Sequence, residues 1–211
     1  QGPFLAVRPL CHDSKRHSPS AWTMTNAMPS WSWQGCEGKK AHVEVYARAA
    51  QVELLLNGKS VGKQSMKNNC LFTFRVPYEN GTLEAVAYDA SGKEMGRCAL
   101  KTAEAETVLQ AVPEETQVKP GHLCFIRLQY ADAQGIVKPA ERGLLDVTVE
   151  GGKLVGLGSA CPFYELDYRG SKADTYYGEA LAIVEAGSEG TVTLTATDGK
   201  LTASTSISIV N

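Results

Sequence analysis

From Val43 onward the chain is a succession of short β-branched and apolar runs, most of them divided by turn residues, and this spacing confines it to antiparallel β architecture. The first runs are 43–47, 52–56, 60–64, 71–76, 83–89 and 94–101. Asn57-Gly58 lies between two of them and predicts a tight hairpin, because both residues tolerate the positive φ of a type I′ turn. Asn80-Gly81 and Ser91-Gly92 are read in the same way. A second set follows at 108–112, 123–130, 144–149, 153–157, 180–185, 191–197 and 202–210. In its last hairpin Val192, Leu194 and Ala196 alternate with threonines up to Asp198-Gly199, and Ile207 and Ile209 alternate with serines on the return. No window keeps apolar residues at i, i+3, i+4 and i+7, so a parallel α/β fold is not expected.

The expected fold is all-β, two tandem immunoglobulin-like sandwiches. Residues 1–41, rich in Pro, Ser, Trp and Gly and without a sustained period, read as an extended linker that packs on the first sandwich. The sandwiches are expected at 42–105 and 106–211, with the small polar stretch 102–107 as their junction. A length of 211 residues suffices for two small domains, and 43% apolar with 21% charged residues is ordinary for folded protein.

Net charge is −2 and Lys and Arg are scattered among Asp and Glu, so nucleic acid and membrane are not expected as partners. No apolar stretch approaches a membrane span, and residues 1–16 contain no signal-peptide core; the compartment stays open. The six cysteines, Cys11, Cys36, Cys70, Cys98, Cys124 and Cys161, are widely spaced without zinc-type clustering, so no metal and no cofactor is expected. They read as reduced thiols, with one or more disulfides as the alternative.

Glycosidic hydrolysis needs two positioned carboxylates. The 23 acids here sit beside turns or alternate outward on strands, as do Glu44, Glu53 and Glu84, which is where solvated charges belong, so no catalytic residue is expected. Residues 58–62 match the Gly-x-Ser-x-Gly pattern, but a hairpin precedes Ser60 and a strand follows it, where a nucleophile elbow needs a strand and then a helix. His12, His17, His42 and His122 have no identifiable nucleophilic partner and are placed at the surface. Asn80-Gly81-Thr82 fits a glycosylation acceptor and is read as a hairpin turn instead.

Two aromatic clusters remain. Trp22, Trp31 and Trp33 lie in the linker, Trp31 and Trp33 on one side of an extended segment, and could stack on sugar or anchor the linker to the sandwich, the anchor being preferred. Phe163, Tyr164, Tyr168, Tyr176 and Tyr177 lie in the long segment 159–178 among Glu165, Asp167, Arg169, Lys172 and Asp174. Long loops of this kind are often functional, and this one suits docking of another domain or carbohydrate.

Residues 25–33, Thr-Asn-Ala-Met-Pro-Ser-Trp-Ser-Trp, with Gly35 and 37–39, Glu-Gly-Lys, resemble the segment after the catalytic barrel in bacterial β-galactosidase-like members of glycoside hydrolase family 2. Residues 43–46, 52–54, 57–62, 76–78 and 81–88 resemble that family's next sandwich. Gly152, Leu154, Gly156, Gly158 and the run 177–184 resemble strands of its further C-terminal domain. The resemblance implies a parent that hydrolyses terminal β-linked sugars by a retaining mechanism with two barrel glutamates. Neither is carried over: the family's acid/base glutamate follows an Asn, and no Asn-Glu pair occurs in this sequence. It also implies the catalytic barrel of the same chain as the partner. The expected role is a non-catalytic structural accessory; a carbohydrate-binding module using exposed aromatics and an adhesin-like spacer are the alternatives.

Overall fold

Asn57 and Gly58 adopt φ of 51° and 77°, both left-handed, and close the hairpin between β3 (Gln51–Leu56) and β4 (Lys59–Ser65). At the other two dipeptides only the glycines, Gly81 and Gly92, take positive φ. Gly81 answers to a neighbour as well as to its own backbone. The Asn57 side chain accepts a hydrogen bond from the Thr82 N–H at 2.9 Å and donates to the Asn80 carbonyl at 3.1 Å, and a Cβ on Gly81 would fall 1.9 Å from its Oδ1. One asparagine therefore fixes two turns.

The structure is a computed structural model that describes residues 2–11, 24–67 and 69–210. The chain forms two units, Gln1–Ala103 and Glu104–Asn211. Both are β-sandwiches, and among the described residues there is no helix.

Unit 1 packs a three-stranded sheet, β1 (Phe4–Val7), β2 (Lys40–Tyr46) and β5 (Leu71–Pro77), against a four-stranded one, β4, β3, β6 (Thr82–Tyr88) and β7 (Glu94–Lys101). All pairings within it are antiparallel. Alternation buries Val52, Leu54 and Leu56 on β3 and Phe72, Phe74 and Val76 on β5, so each strand gives one face to the core.

Two expectations change here. Residues 4–7, read as linker, are the edge strand β1, in register with β2 from Phe4↔Tyr46 to Val7↔Val43 and bridged on its other side to Met28. Glu44, read as a solvated outward charge, is 2% exposed. The added strand explains it: Arg8 Nε donates to Glu44 Oε1 at 2.8 Å, Thr25 Oγ1 donates to the same oxygen at 3.0 Å and the Tyr46 hydroxyl donates to Oε2 at 2.7 Å. Burial pushes the Glu44 carboxyl up, but the three hydrogen bonds outweigh it and hold the group below the usual glutamate value.

Unit 2 sets the sheet β12 (Gly152–Gly158), β14 (Glu179–Ala186), β10 (Leu123–Ala131) and β8 (Val108–Pro113) against the sheet β13 (Lys172–Asp174), β11 (Leu144–Glu150), β15 (Thr191–Thr197), β16 (Thr202–Ile209) and β9 (Gln117–Val118). The first segment changes sheets: β8 pairs with β10, then β9 pairs parallel with β16. Leu128, Leu145, Leu157 and Leu194 fill the core. Tyr130 reaches across to donate to Asp198 Oδ2 at 2.7 Å, and Gly143 leaves it room, since a Cβ there would lie 2.1 Å from the hydroxyl.

Residues 104–107, read as junction, are held inside unit 2. The buried Asp132 carboxylate accepts from the N–H groups of Glu104, Gln134 and Ile136 at 2.8–3.0 Å. Lys138, 4% exposed, donates through Nζ to the carbonyls of Ala105 and Glu106 and to Thr107 Oγ1, each at 2.8 Å. All six cysteines are free thiols, with Cys36 and Cys124 buried.

Candidate functional site

The long segment between β12 and β14 folds back over the outer face of its own sheet. The Leu157 N–H donates to the Tyr168 carbonyl at 2.8 Å, and Asp167 closes the turn that follows, its side chain accepting from Arg169 N and its carbonyl from Gly170 N. Gly158 makes the approach possible, because a Cβ there would lie 2.4 Å from the Tyr168 ring. The Tyr164 ring packs on Tyr168 with centroids 4.5 Å apart. At the far end Tyr177 and Gly178 form a two-residue turn with φ of 52° and 80°, bracketed by the Tyr176–Glu179 bridge, and the rings of Tyr176 and Tyr177 lie 4.4 Å apart.

Between this loop and the sheet runs a cleft of about 600 Å³, within the ordinary range of small-ligand sites. Leu181 and Ile183 of β14 and the bare backbone of Gly156 and Gly158 form its floor; Tyr168 and Tyr176 line it from the loop; Ser159 and Glu114 complete it. Arg127 on β10 and Glu179 on β14 face each other in it at 3.7 Å. Burial pushes the Glu179 carboxyl above its ordinary value, and Arg127 offsets this only in part. Ser159 Oγ and Tyr164 Oη are buried and meet no hydrogen-bond partner within the protein.

Of the sequence-predicted aromatics, the structure brings Tyr168 and Tyr176 to the cleft, backs Tyr168 with Tyr164, and places Tyr177 at the adjoining turn. Phe163 is not among the cleft residues and is 85% exposed. Trp31 and Trp33 do not belong to any exposed surface: both are 0% exposed, so a sugar-facing role is withdrawn for them. Trp31 Nε1 donates to the Glu79 carbonyl and its ring meets Tyr78 edge-on at 4.9 Å, while Trp33 Nε1 donates to the Ser30 carbonyl. Their rings are core of unit 1. Trp22, His12 and His17 lie outside the described residues. His122 is exposed; His42 is half-buried on β2 beside Arg8 and Glu44. Ser60 lies on β4, a strand, as the turn reading of residues 58–62 requires.

Arg127, Glu179, Glu114 and Ser159 were not singled out from sequence. On β10 and β14 the charged pair looks like any outward charge on an alternating strand; the signal was Arg127 following the outward Leu123 and Phe125, which marks an unusually apolar exposed face.

Residues 108–207 match the model described as glycoside hydrolase family 2 C-terminal domain 5, and residues 38–96 match a domain of unknown function, DUF4982. A β-galactosidase of Bacteroides ovatus is 29% identical over 187 residues, covering 84% of this chain and 22% of that protein. A putative β-glucuronidase of Formosa agariphila is 40% identical over 98 residues, 43% of this chain and 9% of that protein. A crystal structure of a glycosyl hydrolase family 2 member from Bacteroides cellulosilyticus superposes with a TM-score of 0.85 at 29% identity, covering 99% of this chain and 28% of that one. The chain thus spans less than a third of the length of each of these relatives. Residues 108–207 are a glycoside hydrolase family 2 C-terminal domain, and the two sandwiches together correspond to the C-terminal region of proteins of that family.

Proposed function

We propose that this chain is a non-catalytic accessory region of a family 2 glycosidase, two sandwiches that support and shape the catalytic domain of the same polypeptide. The parent's reaction, on this reading, is hydrolysis of terminal β-linked sugars such as β-galactosides. The observation that carries it is the alignment of 84% of this chain with only 22% of a β-galactosidase. The purified chain is expected to release no chromophore from aryl β-galactosides or aryl β-glucuronides. Turnover that survives repurification and disappears in Glu179→Gln would overturn the proposal.

A further inference from the structure

The unit 2 cleft holds three features that a purely structural loop does not need. Tyr168 is 53% exposed, yet its place is fixed by the Leu157 hydrogen bond, by the space left at Gly158 and by the Tyr164 ring. An aromatic that adds little to the core and is nevertheless held in one position is a preorganised contact surface. Ser159 Oγ, in the lining, is buried and meets no hydrogen-bond partner within the protein, an orphan that a ligand hydroxyl would satisfy. Glu179 is an acid set 3.7 Å from Arg127 at a partly buried position, where burial pushes its carboxyl above the ordinary value.

The chemistry of the lining narrows what fits. A guanidinium that only donates stands 3.7 Å from a carboxylate that only accepts, and adjacent hydroxyls answer both at once by accepting from one and donating to the other. Leu181, Ile183 and the Tyr168 ring ask for a C–H-rich face on the same ligand. Two carboxylates, Glu114 and Glu179, against the single cation Arg127 give the lining a net negative charge and disfavour an anionic ligand. We propose that the cleft is a saccharide subsite that binds a neutral pyranose, its apolar face on Tyr168 and its vicinal hydroxyls shared between Arg127 and Glu179. This goes beyond the accessory role and does not depend on the parent's reaction.

Calorimetric titration of the whole chain with lactose, cellobiose and glucuronate at millimolar concentrations tests it. Saturable heat is expected with at least one of the neutral disaccharides and none with glucuronate. Tyr168→Ala should weaken the binding at least about tenfold, Tyr168→Phe should keep it because the ring is retained, and Phe163→Ala should leave it unchanged. Melting curves of each variant identify any loss due to misfolding. Glu179→Gln separates a ligand group from a structural one, since it should weaken binding while raising the melting temperature at neutral pH. No heat with either neutral disaccharide, a preference for glucuronate, or affinity untouched by Tyr168→Ala overturns the proposal. So does concentration-dependent self-association in sedimentation that Tyr168→Ala abolishes, which would make the cleft a protein-docking face.

Discussion

At the scale of single residues, Glu44 has the sharpest pH consequence. Its carboxylate is buried among Arg8, Thr25 and Tyr46 and held below its ordinary value, while burial and the neighbouring carboxylate push the Tyr46 hydroxyl from 10 up to about 12. A depressed carboxyl contributes stability that is present above its unfolded value and lost as pH falls through the folded one; a raised phenol contributes stability present below pH 10 and lost as pH rises towards about 12. Urea unfolding of residues 1–103 should therefore weaken at both ends of the pH scale. Tyr46→Phe is expected to cost about 1 to 2 kcal/mol at neutral pH, as one buried hydrogen bond to a carboxylate is lost. Its alkaline limb should be flatter than the parent's. A variant whose loss on raising the pH above 10 matches that of the parent chain would show that Tyr46 does not carry the alkaline sensitivity.

Elements were legible to different degrees, and strand length explains the difference. β2, β3, β5 and β6 appear in the sequence because six or seven residues with a buried face leave a clear pattern, and β4 and β7, which bury no residue, are marked by the turn dipeptides before them. β9 and β13, with two and three residues, cannot show any period, and β1, with four, sits between Pro3 and Pro9 in a stretch whose composition reads as linker. The candidate site was half legible for the same reason. Aromatics massed in the loop 159–178 stand out in one dimension, whereas Arg127 and Glu179 meet only through the β10–β14 register, where Arg127 pairs with Leu181 and Gln129 with Glu179. The Lys138 clamp was invisible because its partners are backbone carbonyls, which no sequence pattern announces. Lys138→Met keeps the apolar stem and removes the ammonium that ties the Ala105 and Glu106 carbonyls and Thr107 Oγ1 to unit 2, and is expected to destabilise the unit by about 1 to 2 kcal/mol. Hydrogen exchange should report the same event locally, as lost protection at the Glu104 amide that Asp132 accepts. Unchanged exchange there would mean that Asp132 alone anchors the segment.

At the scale of the molecule, the family matches and the folding units have different edges, and the difference is testable by truncation. The matched regions are 38–96 and 108–207, whereas the units are 1–103 and 104–211. A polypeptide of residues 38–103 would lack β1, Arg8 and both fully buried tryptophans. Removing one buried Trp side chain costs about 3 to 5 kcal/mol, and a domain's whole stability is about 5 to 15 kcal/mol, so losing both with an edge strand exceeds what most domains can tolerate. Residues 38–103 are therefore expected to stay unfolded at room temperature by circular dichroism, while 1–103 melts cooperatively. Unit 2 should respond more mildly. Starting it at Val108 instead of Glu104 leaves its core intact but removes one of the three N–H donors to Asp132 and all three acceptors of the buried Lys138 ammonium. Residues 108–211 should fold yet melt several degrees below 104–211. Equal melting temperatures for the two would assign residues 104–107 no part in the stability of the unit, and cooperative folding of 38–103 would remove Trp31 and Trp33 from the list of what holds unit 1 together.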